Sequence, residues 1–178
     1  KEENDYYRGI FSIYEFNNKG PVSIWLRRQQ RKAEKAAETL QGLTLQNSLQ
    51  NLDRRDKLVE ILAFCFMPNH IHLMVKQLSD NGISKFIQKV GTGYCNYFNK
   101  KYNRKGHLFN RFKSILIKNN DQLRNVFVYI HCNPISLVQP KWKDVGISDS
   151  VKIMDFLENK YRWSSFWDYI GKPNFSSV

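Results

Sequence analysis

Two histidines and a tyrosine–asparagine pair carry the chemistry that this sequence offers. His70 and His72 flank Ile71 after a Pro-Asn turn, and successive side chains of a strand alternate between its two faces. Both imidazoles therefore point the same way and form a two-nitrogen chelate for a divalent ion. The alternative is a pair of histidines on an exposed sheet face with no metal-binding role.

Tyr129 and Asn133 lie about one turn apart in a segment with helical periodicity, on the flank of its apolar stripe. A phenol is a poor nucleophile until a base or a nearby cation activates it. A carboxamide oxygen is a suitable third metal ligand beside two imidazoles. The alternatives are a tyrosine at a helix–sheet interface and an asparagine that caps the helix before Pro134.

Composition limits the class of protein. The 178 residues include 28 Lys+Arg against 16 Asp+Glu, a net charge of +12, which favours a polyanionic partner such as nucleic acid. A hydrophobic content of 42% is enough for a core and excludes disorder for most of the chain. The three cysteines are far apart, so neither a disulfide framework nor a zinc knuckle is indicated. Without a membrane-length apolar run or a signal peptide, we expect a soluble, cytoplasmic protein with no membrane partner.

Residues 81–120 contain nine basic residues and no Asp or Glu. Tyr97, Phe98 and Tyr102 interrupt the basic run, as expected of a groove that stacks bases and follows a phosphate backbone. The alternative is that the aromatic residues belong to the core and the lysines serve solubility. The candidate DNA-binding residues are Lys85, Lys89, Lys100, Lys101, Arg104, Lys105, Arg111 and Lys113.

Hydrophobic patterning predicts an α+β fold, a ferredoxin-like antiparallel sheet with helices packed on it. The predicted strands are 8–16, 59–67, 70–76 and 111–117. The predicted helices are 83–98, 121–133, a short one over 151–161, and a basic helical region at 23–58 with a break near 42–51. The basic cluster that begins at Arg27 and Arg28 either contacts phosphates or forms a solvated helix face.

Several ordered motifs together resemble the single-tyrosine HUH transposases, and within them the branch of REP-associated tyrosine transposases. These motifs are FCFMPNHIHL at 64–73, ISKFIQ at 83–88, YFNK at 97–100, GHLF at 106–109, RFKS at 111–114 and YIHCNP at 129–134. The resemblance covers 8–137, and WSS at 163–165 is also similar to that branch. Two features depart from the family: 109–111 is one residue shorter, and 21–55 is longer and more basic.

The resemblance implies an HUH endonuclease fold and roles for four residues. His70 and His72 match the pair that binds Mg²⁺ or Mn²⁺, Tyr129 matches the nucleophile, and Asn133 matches the third ligand, where relatives commonly have Gln. The implied activity is metal-dependent cleavage and rejoining of single-stranded DNA through a 5′-phosphotyrosine, at hairpin-flanked sites. We expect a transposase domain at 1–138, a C-terminal extension at 139–178, and a monomer or homodimer associated with a bacterial nucleoid.

Two other functions remain open at this point. A nucleic-acid-binding protein that kept the fold and lost the chemistry is disfavoured by the presence of all four candidate catalytic residues. A rolling-circle initiator or relaxase shares the reaction but usually has more domains than 178 residues allow. The sequence also leaves open whether Tyr129 acts with the histidines of its own subunit or with those of a partner.

Overall fold

A two-stranded antiparallel sheet lies at the centre of the fold, between helices on both faces. The computed structural model describes residues 2–41, 53 and 55–178. The strands are β1 (Val59–Phe66) and β2 (Ile71–Gln77). The helices are α1 (Glu3–Glu15), α2 (Ile24–Gln41), α3 (Gly82–Lys101), α4 (Asn120–Cys132), α5 (Trp142–Val145), α6 (Ser150–Asp155) and α7 (Phe166–Tyr169). A 3₁₀ turn, Asn133–Leu137, follows α4, and a π-helical turn, Phe156–Lys160, follows α6.

The sheet confirms the predicted hairpin and places two helical layers around it. The turn closes where Met67 N–H donates to the His70 carbonyl at 2.8 Å, and β1 pairs with β2 in a register that sets Cys65 opposite His72. One face packs against α1 and α3 through Ile13 and Phe86. The other face packs against α4 through Ile130. The α+β prediction is confirmed, and the arrangement is compatible with an HUH-type fold.

The predicted strand at 8–16 is wrong, because this segment belongs to helix α1. Its Ile, Phe and Tyr content favours a strand, but Tyr6, Ile10 and Ile13 recur at four and three residues and pack on the same core. A capping contact also fixes the start of the helix, where the Glu2 N–H donates to Asp5 Oδ2 at 3.0 Å. Helical periodicity thus outweighs strand propensity once residues 3–7 are included.

The predicted strand at 111–117 is also wrong. These residues form no regular element, and Ile115 and Leu116 are 79% and 76% exposed. A strand needs a neighbouring backbone to satisfy its N–H and C=O groups, and no described strand lies beside this segment. Of the helical region predicted at 23–58, α2 confirms the first part, 42–52 and 54 lie outside the described residues, and 55–58 lead into β1 without helical structure.

The C-terminal extension takes the position beside β1 that another strand would occupy. Phe66 N–H donates to the Trp163 carbonyl at 2.9 Å, and Ser165 N–H donates to the Phe64 carbonyl at 3.1 Å. Tyr161 lies in the core and donates its hydroxyl to the Phe66 carbonyl. The described part of the extension therefore packs directly on the sheet, while the predicted boundary between 138 and 139 stays a prediction.

Asp5 joins the start of α1 to the end of α3. The carboxylate is fully buried and accepts hydrogen bonds from Lys101 Nζ at 2.8 Å, Tyr97 Oη at 3.0 Å and Tyr102 Oη at 2.7 Å. Burial by itself raises the pKa of Asp5, but the bonds from Lys101, Tyr102, Glu2 and Tyr97 outweigh it and lower the pKa to about 2. The ionised carboxylate is therefore a stabilising part of the fold.

We expect Asp5→Asn to lower the free energy of unfolding by about 1.5–3 kcal/mol at pH 7, because it weakens hydrogen bonds to a charged group. The folded pKa lies below the unfolded value of 3.8, so this contribution is complete above about pH 4 and is lost as the pH falls through about 2. Urea unfolding at both ends of this range measures it. The control is Asp56→Asn, which removes an exposed ion pair with Lys19 and costs less than about 1 kcal/mol. Equal effects of the two variants would contradict the role of Asp5.

Candidate active site

Helix α4 presents the predicted nucleophile to the sheet. It begins at a cap, where Asn119 Oδ1 accepts a hydrogen bond from the Gln122 N–H at 2.8 Å. Phe127 and Ile130 pack against the sheet face that carries Cys65 and Met74. Tyr129 lies at the border of this contact and is 42% exposed, so its hydroxyl is accessible to a large substrate.

The two histidines meet at their ring nitrogens. His70 Nε2 lies 2.9 Å from His72 Nε2, with the rings at 88° to each other, so the residue before β2 and the second residue of β2 present their imidazoles on the same side. Asn69 Oδ1 lies 2.6 Å from His70 Nδ1, and an N–H at Nδ1 that donates to this oxygen leaves the Nε2 lone pair for a ligand. Asn69, in the turn between β1 and β2, thus orients the His70 ring.

The phenol of Tyr129 lies directly against this pair. Its ring meets the His72 ring edge to face, with centroids 5.5 Å apart at 84°. Lys143, from α5, places Nζ 3.2 Å from Tyr129 Oη and 4.3 Å from the ring centroid. The structure therefore brings together the residues predicted from 70–72 and from 129, and it adds a cation that the sequence prediction missed.

Asn133 combines both interpretations that the sequence left open. Its Nδ2 donates to the Tyr129 carbonyl at 2.6 Å, the contact of a C-terminal cap. The same side chain, which is buried, also interacts with the His72 imidazole. Because the amide nitrogen is used by the helix end, the amide oxygen is the atom left for a ligand role. Capping and ligand roles are therefore compatible in one residue.

Burial keeps His72 in its neutral form. Loss of solvent is the main cause that lowers the pKa of His72 to about 4, the charges of His70 and Lys143 lower it further, and the hydrogen bond with Asn133 opposes them. An imidazole with this pKa is unprotonated at neutral pH. The neutral imidazole is the form that binds a metal ion.

The three side chains fit a divalent ion. In an octahedral site with bonds of about 2.1 Å, two adjacent ligands are about 3.0 Å apart, and the two Nε2 atoms lie 2.9 Å apart. The Asn133 side chain interacts with His72, one of the two histidines. The candidate set is therefore two histidines and one amide. Within the described ranges, no group of three or more His, Cys, Asp or Glu that could hold a metal is found.

Comparison with protein families decides the general identity. The family described as "Transposase IS200 like" matches residues 20–133, well over half of the chain, and this range includes both histidines, Tyr129 and Asn133. The chain belongs to this family. No curated protein and no solved structure matches this chain. Membership implies a transposase that binds DNA, and none of the helices in the described residues is long and apolar enough to cross a membrane.

Two of the cations predicted to bind DNA in this IS200-like transposase form contacts that stabilise the fold. Lys89 Nζ donates to the carbonyls of Asn18, Lys19 and Gly20 at 2.5, 3.2 and 2.6 Å, and so fixes the loop between α1 and α2. Lys101 forms the ion pairs with Glu2 and Asp5 at 2.7 and 2.8 Å. Their role in DNA binding stays a prediction, but their ammonium groups are already engaged.

The other predicted cations lie on the surface. Lys85, Lys100, Arg104, Lys105, Arg111 and Lys113 are all exposed. The guanidinium of Arg104 lies 5.8 Å from the centroid of Phe98, which itself contacts Tyr102 and Tyr94. The aromatic residues thus combine the two interpretations: Tyr94 is core, whereas Tyr102 is exposed beside basic residues.

A basic cleft of about 650 Å³ lies between α1, α2 and α3. Four of its lining residues are cations: Arg8, Arg28, Lys89 and Lys100. Arg8 Nε is buried there without a hydrogen-bond partner among the described residues, and burial followed by the charge of Arg28 lowers the pKa of Arg8. Because α1 and α3 cover the sheet face opposite α4, this cleft is separated from Tyr129 by the sheet.

Proposed function

We propose that this IS200-like transposase is a metal-dependent single-stranded DNA endonuclease and strand transferase that acts through a 5′-phosphotyrosine on Tyr129. The observation that carries the proposal is the position of the Tyr129 phenol against His72, whose Nε2 in turn faces Nε2 of His70. A phenol beside two imidazoles and a lysine combines a nucleophile with groups that can stabilise negative charge.

The reaction is a balanced exchange of phosphodiester bonds. The Tyr129 oxygen forms a bond to phosphorus while the bond from phosphorus to the 3′ oxygen breaks. The phenol proton passes, directly or through water, to the departing oxygen, which becomes a free 3′-hydroxyl. In rejoining, a 3′-hydroxyl attacks the phosphotyrosine and the tyrosine recovers a proton, so the cycle needs no nucleotide energy source.

His70, His72 and Asn133 are the residues that would hold a Mg²⁺ or Mn²⁺ ion. Such an ion would supply Lewis-acid polarisation of the scissile phosphate. The protein's own contribution is orientation: Asn69 fixes the His70 ring, and the Tyr129 carbonyl fixes the Asn133 amide. Because Tyr129 lies against His72 of the same chain, the geometry supports cleavage within one subunit.

The charge of the 81–120 segment supports a single strand as the substrate. Unpaired DNA offers both a phosphate backbone and exposed bases, and this segment provides exposed cations beside exposed aromatic side chains such as Tyr102. The basic cleft is a second candidate contact for phosphates. Recognition of hairpin-flanked sites and membership of the REP-associated branch belong to the same proposal.

We expect Lys100→Ala together with Lys105→Ala to weaken single-strand binding by an amount that depends on salt. Both residues are exposed near the end of α3, and each lost phosphate contact lowers the slope of log K against log salt by about 0.7. The double variant should therefore lose about 1.4 from the slope. Fluorescence anisotropy from low to high salt measures it.

The matched control for this slope replaces two exposed lysines of the extension, Lys152→Ala and Lys160→Ala. It should keep the wild-type slope. A slope that is unchanged in the Lys100 and Lys105 variant would place the DNA interface on another surface. Lys101 is unsuitable for this test, because its replacement breaks the ion pairs with Glu2 and Asp5.

The test of the proposed function is incubation with labelled single-stranded oligonucleotides taken from the DNA that flanks the gene. The proposal predicts cleavage in Mn²⁺ and none in EDTA, with one product attached to the protein. Binding without cleavage, across several oligonucleotides and with both Mn²⁺ and Mg²⁺, would instead favour a non-catalytic nucleic-acid-binding protein.

A further inference from the structure

Lys143 lies outside the family match, which ends at residue 133, yet its ammonium contacts the proposed nucleophile. Nζ donates a hydrogen bond to Tyr129 Oη at 3.2 Å and lies 4.3 Å from the ring centroid. The side chain thus touches both the oxygen that would react and the ring that carries it. A cation over an aromatic face is attracted to the ring, so the two contacts support each other.

The position of Lys143 is fixed by its neighbours in the extension. Trp142 packs against the cluster of Ile135, Ile153 and Leu157, and so anchors the short helix α5 beside the 3₁₀ turn that follows α4. Gln139 closes the same loop, since its Nε2 donates to the Gly146 carbonyl at 2.6 Å and its Oε1 accepts from the Ser148 N–H at 3.2 Å. These contacts fix the loop that carries Lys143.

We propose that Lys143 is a catalytic residue of the strand-transfer reaction, supplied to the active site by the C-terminal extension. This inference rests on the proposed function of Tyr129. Lys143 donates a hydrogen bond from its ammonium group to Tyr129 Oη. In cleavage it stabilises the charge on the attacking oxygen and on the adjacent phosphate.

In rejoining, the bond from phosphorus to Tyr129 Oη breaks and the tyrosine oxygen becomes the leaving group. The hydrogen bond from Lys143 stabilises the charge that develops on this oxygen. The ammonium neither gains nor loses a proton in either direction. The same residue thus assists both halves of the exchange, and the transposase domain needs the extension for full activity.

The kinetic test compares Lys143→Met, which keeps the length of the side chain and removes its charge, with Lys143→Arg and with Lys141→Ala. We expect Lys143→Met to slow single-turnover cleavage and rejoining by about 100- to 1,000-fold, as for loss of one donor to a developing charge, while DNA affinity changes less than about twofold. Lys143→Arg should recover part of the rate. Lys141, exposed at the start of the same turn, should leave the rate unchanged.

A second measurement tests the contact without any DNA. With 3-fluorotyrosine at position 129, we expect the ¹⁹F signal to move in Lys143→Met and to stay in place in Lys141→Ala. An unmoved signal in Lys143→Met would overturn the contact, and wild-type cleavage rates in that variant would overturn the catalytic role while leaving the function of Tyr129 intact. If the wild-type protein cleaves no oligonucleotide, the proposed function fails, and this role fails with it.

Discussion

Tyr129→Phe should abolish both DNA cleavage and the covalent adduct, with a fall in cleavage rate of about 10⁴-fold or more, the size of effect expected when a nucleophile is removed. The substitution removes only the hydroxyl, and the ring can keep its contact with His72. We therefore expect DNA affinity to stay within about twofold of the wild type. Single-turnover cleavage and fluorescence anisotropy on the same oligonucleotide measure the two quantities.

The matched control is Tyr169→Phe. The Tyr169 hydroxyl donates to the Leu62 carbonyl, and its ring packs on Phe127 and His131, so it is a second exposed tyrosine near α4 that has no contact with the histidine pair. Its replacement should change cleavage by no more than a few-fold. Adduct formation that survives in Tyr129→Phe would assign the nucleophile to another residue.

His72→Ala should remove the metal dependence of the reaction together with the reaction itself. His72 is half-buried between His70, Tyr129 and Asn133, so its loss breaks the ligand set at its centre. We expect Mn²⁺ affinity to fall at least about 100-fold, since even residues that only orient a metal ligand contribute 10- to 100-fold. The paramagnetic resonance signal of free Mn²⁺ measures binding without reference to activity.

The control for the metal site is His107→Ala, which alters an exposed histidine remote in sequence from the pair. It should keep the Mn²⁺ affinity of the wild type, because its imidazole has no part in the candidate site. Equal Mn²⁺ affinity in His72→Ala and the wild type would contradict the assignment of His70, His72 and Asn133 as ligands.

The sequence predicts best where one periodicity dominates. Alternation around Ile71 predicts β2 and the common direction of His70 and His72. The helical period at 121–133 predicts α4, with Tyr129 at the border of its apolar face. Local geometry is sufficient in both cases, because each pattern concerns neighbours on one element. The approach of Tyr129 to His72 then follows from the packing of α4 on the sheet.

Prediction fails where the partner of a segment decides its structure. Residues 8–16 have the composition of a strand, yet the cap at Glu2 and the contact of Tyr6 and Ile10 with the core make them helical. The backbone positions beside β1 are taken by Trp163 and Ser165, about a hundred residues later in the chain. Local composition therefore does not predict which distant segment will bind the edge of β1.

The contacts of individual charged side chains are also difficult to predict from the sequence. Lys89 and Lys101 are members of a basic run, but backbone carbonyl groups bind the ammonium of Lys89 and the buried Asp5 carboxylate binds that of Lys101. Lys143 lies in a segment with no periodicity and no motif, and only the fold of the extension brings it to Tyr129. The fourteen-residue separation of Tyr129 and Lys143 does not predict their contact, because a 3₁₀ turn and a loop lie between them.

Mass spectrometry of the covalent adduct identifies the residue that attacks the DNA. The wild-type protein is incubated with single-stranded oligonucleotide and Mn²⁺, digested with protease and nuclease, and searched for a peptide that carries a nucleotide through phosphate. We expect this mass on the peptide that contains Tyr129, in Mn²⁺ and not in EDTA. A nucleotide on any other residue, or bound and cleaved DNA with no adduct at all, would contradict it.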